Sequence, residues 1–536
     1  MPEVVRMLET RSIRDTEERA SHAGPTAGAL VLRALRRFPD RIAFAWDGGT
    51  MTYAGAVDLI GRMQRVFIAS GLSRGSTVAI LTANRADAWC AGIAAQACAA
   101  RTTWLHPIGS FGDHAEQLDD AEVDVLVVDV RSFGERGGEL AARAPSVRAT
   151  FTLGAAEYGR DLLRAADDVG AATAIDLAEP NDVAQLSYTG GTTGRSKGVV
   201  RRHAATVAIT YSLLADIEFP RRPQYLLVAP ISHAAGTKVG PVFLRGGTVH
   251  LLPKFDADRV LATIPQARID TTVLVPTMIY VLLDHPRLDD ADLTSLELVL
   301  YGASPISPNR LIEGLERIGP VFSQFYGQTE CYPIAVLSKA DHDANRPELF
   351  AAAGTVASTC AVTLLTPEGE TARPGEPGEI CVRAPQAMDN YWKRPEATAE
   401  TIRDGWLKTG DIARMDERGY LYLVDRAKDM IVSGGFNVYP RTVEDALSAH
   451  ADVAMAAVFG IPDDKWGEAV MAMVVPRPGV TPNAAALVAH VRERSGAVNA
   501  PKRIEFAASL PLTALGKIDK KALRAAHWAG RDRAIG

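Results

Sequence analysis

Cysteine is scarce in this chain: Cys90, Cys98, Cys331, Cys360 and Cys381 are five among 536 residues. Their number is odd and no two form a CxxC pair. That excludes a disulfide framework and a cysteine zinc site, and points to a reducing, cytoplasmic setting in which each thiol is a small core side chain. A basic excess is missing too. The formal net charge of −6 excludes nucleic acid as the main partner, because a phosphate backbone needs a basic face. A small phosphorylated ligand needs only a local pocket and stays open. The chain also lacks a secretion signal: its start, MPEVVRMLETRSIRDTEERA, is charged throughout and has no apolar h-region. The most apolar stretch, Trp89–Leu105, carries Gln96 and Arg101 and reads as a buried, alanine-rich helix packed on a sheet, not a transmembrane segment. There is no repeat of solenoid length and no low-complexity tract.

What is present is ordinary globular sequence, 47% hydrophobic and 23% charged, in a chain too long for one core. Short β-branched runs at Val78–Leu81, Val123–Val128, Tyr225–Val228, Thr248–Leu252, Thr271–Val275 and Leu296–Leu300 read as buried strands. Helical periods lie between them. In the one from Tyr53 to Ile68, Val57, Ile60, Met63 and Phe67 share a face. Such alternation predicts an α/β fold with mostly parallel sheets flanked by helices. Ala165–Asp176 reads as surface helix and loop, and Gly369–Gly378 as a turn before a strand at Glu379–Val382. Beyond Asp425 the texture changes. A helix at Arg441–His450, strands at Val453–Phe459 and Ala469–Val475, a helix near Asn483–Arg494 and a strand at Arg503–Phe506 predict a small α+β C-terminal domain.

The strongest local feature is Tyr188–Val199, YTGGTTGRSKGV, entered from a predicted strand at Val183–Tyr188. Gly190, Gly191 and Gly194 let the backbone turn tightly and present N–H groups to an anion. Thr189, Thr192, Thr193 and Ser196 add hydroxyl groups, and Lys197 adds a mobile positive charge, a set suited to nucleotide phosphates. A Walker A loop requires G-x-x-x-x-G-K-[ST]. Here Lys197 follows Ser196 and precedes Gly198, so a P-loop kinase or GTPase is disfavoured.

This loop resembles that of the adenylate-forming superfamily, which includes acyl-CoA synthetases, adenylation domains of peptide synthetases, and luciferases. Further motifs follow in family order: PISHAAG at 230–236, YGASP at 301–305, YGQTE at 326–330, GWLKTGD at 405–411, DRAKD at 425–429, GGFNVYP at 434–440 and PLTALGK at 511–517. The resemblance implies an N-terminal domain over 1–425 that holds ATP and the acid. A hinge at 426–428 and a mobile C-terminal domain over 429–536 follow, with the site between the two domains. It further implies an AMP-forming acid–thiol ligase using ATP, Mg²⁺ and coenzyme A. Its partners would be a small carboxylic acid and CoA, without nucleic acid or membrane, and a homodimer is left open.

The same resemblance assigns roles. Glu330 would hold Mg²⁺, an ion usually bound through one or two carboxylates plus phosphates. Thr329 would contact the α-phosphate and Tyr326 would stack on adenine, with Phe325, Gly327 and Gln328 beside them. Gly302, Ala303 and Ser304 would line the other face of the base. Asp411 would accept the ribose hydroxyls and Arg426 would reach the ribose or a phosphate. Lys517 would carry adenylation, because carboxylate and α-phosphate are both anionic and a lysine between them stabilises the transition state. With Lys197, Thr329 and Glu330 it forms the catalytic set. Lys428 would be the hinge, Gly434 and Gly435 the lining of the pantetheine tunnel, and His233 and Thr237 part of the acyl pocket. In amino-acid-activating relatives an aspartate stands where this chain has His233. An ammonium would be left unpaired there. With Ala234, Ala235, Gly236 and Val239 nearby, the expected substrate is a hydrophobic acid. Release to a carrier protein instead of CoA, or a silent nucleotide-binding homologue, are the competing expectations.

Overall fold

The computed structural model describes residues 24–189, 196–426, 429–433, 436–463, 466–513, 517–525 and 527–528. Two large sheets sandwich a layer of helices. In the first sheet Thr77–Leu81, Arg101–Leu105, Val125–Val128 and Ala149–Thr152 run parallel, and Val183–Thr189 joins parallel to Arg101–Leu105. The sheet then turns antiparallel through Lys197–Arg202 and ends on Asn390–Tyr391. The second sheet has a parallel centre of Ile42–Trp46, Thr248–Leu251, Gln224–Leu227, Thr271–Leu274, Leu298–Gly302 and Phe322–Gln328. Past Phe322–Gln328 it continues antiparallel through Cys331–Leu337, Gly354–Val356, Tyr420–Arg426, Trp406–Met415, Gly378–Arg383 and Ala361–Leu365. The α/β class stands, with mixed sheets: the parallel centres are buried between helices, whereas the antiparallel extension is built from hairpin turns such as that around Gly369 and Gly375.

One core joins the two sheets. Val78 and Ile80 of the first, Phe44, Tyr225 and Leu227 of the second, and Ile60, Phe67 and Ile93 of the helices between them belong to it. Burying each such side chain contributes roughly 1.5–3 kcal/mol. The stretch Trp89–Leu105 is a helix only in its first part. Ala86–Ala97 is helical and nearly all buried, the backbone turns at Ala99 (φ 60°), and Arg101–Leu105 is a strand. Its alanines allow close packing, as does Gly92, where a Cβ would lie 2.5 Å from the Trp104 ring. Ala165–Asp176 is a surface helix end and loop, as expected, with Ala165, Ala166 and Ala174 turned inward. Gly61 provides the notch, since a Cβ there would lie 2.2 Å from the Ala172 carbonyl oxygen, and the Gln64 amide accepts from the Ile175 N–H at 3.0 Å.

The C-terminal part has a core of its own, with Ile431, Val443, Leu447, Val458, Val470, Leu487 and Val491. Val453–Asp463 and Gly467–Pro476 form a long antiparallel pair, Ile431–Ser433 and Arg503–Phe506 flank it, and helices Pro440–Ser448 and Ala484–Ser495 cover it. Tyr420–Arg426 belongs to the large sheet and Ile431–Ser433 to the small one.

Candidate functional site

Val183–Thr189 and Lys197–Arg202 are the two strands of a hairpin, and the phosphate loop is its turn. Thr189 pairs with Lys197 and Tyr188 with Gly198. The Ser196 hydroxyl donates to the Thr189 carbonyl at 2.6 Å, closing the neck of the loop. Gly190, Gly191, Thr192, Thr193 and Gly194 lie outside the described residues, as do Lys428, Gly434 and Gly435. Lys197 Nζ sits 4.8 Å from the centroid of the Tyr391 ring. The Tyr391 hydroxyl donates to Glu330 Oε1 at 2.7 Å. Tyr391 therefore touches both the loop lysine and the candidate metal carboxylate. Its hydroxyl is held protonated, since burial and then the Glu330 charge both raise it.

Thr329 and Glu330 follow strand Phe322–Gln328. The Thr329 carbonyl accepts from Arg201 Nη2 at 2.7 Å and the Glu330 carbonyl from the Met388 N–H at 2.6 Å. Arg201 is buried, which lowers its pKa, while the charge of Glu330 opposes that shift. Among the described residues no group of three or more His, Cys, Asp or Glu side chains could hold a metal. A lone carboxylate such as Glu330 fits an ion completed by phosphate oxygens, as Mg²⁺ commonly is, better than a protein-caged one.

Tyr326 is buried, and its hydroxyl donates to Asp411 Oδ2 at 2.7 Å. Asp411 faces Arg426 across adjacent antiparallel strands, and Thr409 Oγ1 accepts from the Asp411 N–H at 3.1 Å. Gln328 Nε2 donates to the Thr409 carbonyl at 3.3 Å, which joins the YGQTE strand to the TGD turn. Gly302 pairs with Phe325, and a Cβ on Gly302 would lie 2.3 Å from the Phe325 carbonyl oxygen. The next residue, Ala303, takes φ 68°, a left-handed conformation rare outside glycine and frequent at functional sites. Ser304 is half-buried beside it, and Gly327 packs against Tyr332.

The opposite wall comes from PISHAAG. Gly236 is required there, because a Cβ would lie 1.8 Å from the Ile231 carbonyl oxygen. His233 Nδ1 is 2.7 Å from Ser232 Oγ, and its ring stands edge-on to His106, with centroids 4.4 Å apart. Burial, then the neighbouring His106, then the Lys517 charge push the His233 pKa down to about 3, so the ring is neutral. Lys517 thus acts on the ring only through its charge. Its loop is held by a bridge between Leu512 and Ile518, and the Lys517 N–H donates to Thr513 Oγ1 at 3.2 Å. Thr237 Oγ1 donates to the Ala234 carbonyl at 2.7 Å. Fully buried Lys238 bonds the Ala234 carbonyl at 3.0 Å and the Tyr332 hydroxyl, and lies over the Phe325 ring; burial holds it well below the usual lysine range.

Lys197, Tyr391 and Glu330 thus form one chain of contacts with Thr329 beside it, Tyr326 and Asp411 form a second, Gly302 backs onto Phe325, and His233 stands against His106. Four residues were not singled out from the sequence: Tyr391, Arg201, His106 and Lys238. Each acts through a partner far away in the chain, so no local spacing marks it. The aromatic pair in MDNYWKRPEAT is the one local signal that could have drawn notice to Tyr391.

The AMP-binding enzyme family matches residues 31–392, and the AMP-binding enzyme C-terminal domain matches residues 442–517. A medium/long-chain-fatty-acid–CoA ligase, FadD8, of Mycobacterium tuberculosis is 42% identical over 95% of this chain and 91% of its own length. A feruloyl-CoA synthase of Amycolatopsis sp is 37% identical over 93% of this chain and 98% of its own. Among solved structures, the amide bond synthetase McbA of Marinactinospora thermotolerans superimposes with a TM-score of 0.87 at 34% identity, covering 94% of this chain and 100% of its own. The chain belongs to the AMP-binding enzyme family, a branch of the adenylate-forming superfamily. Within it the chain groups with the acid–thiol ligases, the AMP-forming acyl-CoA synthetases.

Proposed function

We propose that the protein joins a hydrophobic carboxylic acid to the AMP part of ATP, expelling pyrophosphate, then passes the acyl group to coenzyme A, releasing AMP. The observation that supports this reading is the chain of contacts from Lys197 through Tyr391 to Glu330, a cation and a carboxylate held on one phenol. Lys517, in a loop of the C-terminal part, is taken to lie over the acid. A cation there offsets the repulsion between an incoming carboxylate and the α-phosphate. Glu330, oriented by Tyr391, would hold Mg²⁺, which when bound neutralises charge on the phosphates. Thr329 would meet the α-phosphate. Asp411, with Arg426, would fix the ribose, and the strip at Gly302–Ser304 would take the base.

The acyl wall of His233, Ala234 and Thr237 carries no carboxylate, and the His233 ring is neutral. Such a wall suits an apolar acid and offers an ammonium nothing to pair with. The same reading takes 1–425 and 429–536 as two domains about a hinge at 426–428. After adenylation the smaller would turn, withdrawing Lys517 and presenting Gly434 and Gly435 to the pantetheine arm. We place the enzyme in the cytoplasm. The likeness to an amide bond synthetase supports one second reading, in which an amine takes the acyl group.

The test is to incubate the protein with ATP, Mg²⁺ and a panel of hydrophobic acids, with CoA, with an amine, or with neither, beside Lys517→Ala. Acyl-CoA and AMP formed together, and both lost in the variant, are expected. Amide without thioester would establish the second reading. Turnover of amino acids in preference to apolar acids would overturn the substrate class.

A further inference from the structure

The neck of the phosphate loop is tied to an element that no motif includes. Helix Phe111–Asp120 ends on Asp120, whose side chain is largely buried. The Tyr188 hydroxyl donates to Asp120 Oδ2 at 2.8 Å, and Arg394 Nη2 donates to Oδ1 at 2.8 Å. The Asp120 backbone carbonyl accepts from Trp392 Nε1 at 2.9 Å. One residue therefore grips two chain segments, one at Tyr188 and one at Trp392–Arg394.

Each of these segments leads to the phosphate end of the site. Tyr188 pairs with Gly198 on the rung directly below Thr189 and Lys197. Its ring fills the space over Gly198, where a Cβ would meet it at 3.1 Å. The Gly198 carbonyl in turn accepts from the Trp392 N–H at 2.7 Å. Trp392 directly follows Tyr391, the residue that bonds Glu330 and underlies Lys197. The Arg101 guanidinium caps the Trp392 ring at 4.4 Å. The grip therefore fixes both strands of the loop's neck and, through Tyr391, the Glu330 carboxylate. It does not reach the acyl wall: none of the bonds made by Asp120, Tyr188, Trp392 or Arg394 involves His233, Thr237 or Lys238.

We propose that Asp120 is a positioning residue for ATP: it sets the phosphate loop and Glu330 in register with each other, so its loss weakens the nucleotide end of the site and spares the acid end. The inference deepens the adenylation reading and rests on it. A carboxylate suits the task because it accepts from a hydroxyl and a guanidinium at once, and charge-assisted bonds of this kind are short and directional. A purely structural role predicts something else. Loosening a buried corner would lower stability and degrade both substrate sites together.

The experiment measures acid-dependent ATP–pyrophosphate exchange for the full chain, with KM for ATP and for the acid determined separately, next to thermal unfolding. Asp120→Ala, Asp120→Asn and Tyr188→Phe are compared with the parent. Asp120→Ala is expected to raise KM for ATP about tenfold or more, the scale of a lost positioning contact, with KM for the acid within about twofold. Asp120→Asn keeps an acceptor for Tyr188 and loses only the ion pair, so it should fall between. Tyr188→Phe keeps the ion pair and should raise KM for ATP alone; it carries the test should Asp120→Ala fail to fold. KM values that rise together, or exchange unchanged while unfolding shifts, would overturn the proposal. A parent that shows no exchange with any acid would overturn the adenylation reading itself, a different failure from variants that match an active parent.

Discussion

The phosphate side of the cleft and the Lys517 side are built by opposite means. Lys197 leaves a strand in the middle of a sheet, with partners in Val183–Thr189 and Asn390–Tyr391 and a buried corner at Asp120 behind it. Lys517 leaves a short loop closed by one bridge and by bonds to Thr513, in a part of the chain with its own core. Interrupting the first means breaking a sheet. Moving the second costs a few local contacts and leaves the large core whole. Under the proposed function the contrast would give positioning of ATP to the rigid side and timing to the other.

Removing the Lys517 ammonium tests that contrast hardest. Lys517→Ala should lower adenylation about 10²–10³-fold, the scale of one lost transition-state charge contact, and leave thermal unfolding in place. A fall in unfolding temperature would show that the lysine is structural and erase the distinction. Acid should separate the two regions next. His203 and His342 are fully buried in the larger part, and burial lowers each to about 4. Unfolded histidine binds its proton near pH 6.5, so between pH 6.5 and about 4 only the unfolded chain takes one up. Stability is therefore full above that window and lost as pH falls through it, by roughly 1.4 kcal/mol per residue at pH 5.5. His450 and His490 of the smaller part are both partly exposed. Hydrogen exchange at pH 5.5 should accordingly quicken in the larger part first, and the reverse order would break the comparison.

Gly302→Ala adds a Cβ against the Phe325 carbonyl within the rigid side. It should destabilise the fold by about 1–3 kcal/mol, read by denaturant unfolding, and weaken ATP binding, read by calorimetry. Full tolerance would mean that the strip has room to shift. The smallest effect is expected from Tyr391→Phe, which removes the donor to Glu330. At about 1 kcal/mol for one hydrogen bond, the Mg²⁺ concentration for half-maximal rate should rise several-fold with the acid KM unchanged.

Much of this was legible in the chain. Helix Tyr53–Ala69 follows its apolar period, and strand Arg503–Phe506 lies where its pattern predicts. Lys197 and Glu330 are linked through Tyr391 although far apart in sequence, because one opens the strand that pairs with Asn390–Tyr391 and the other follows strand Phe322–Gln328. What was hidden depends on pairing at long range. Nothing near Tyr391 announces Glu330, 61 positions earlier. Trp89–Leu105 looks like one apolar helix until the positive φ of Ala99 divides it. That the loop at Ala172–Ala174 docks its backbone on Gly61 is equally silent in the sequence.

Asp411 and Arg426 form a rung between adjacent strands, and that rung is the last before the chain leaves the larger sheet. It works as a clasp at the end of a belt. A sugar ring bound to the carboxylate, as the proposed function has it, would also fasten the final strand, and its release would unfasten it. On that proposal, occupancy of the nucleotide seat and slack at the junction are written into a single pair of neighbouring backbones, and no relay through the interior is needed to carry news from one to the other.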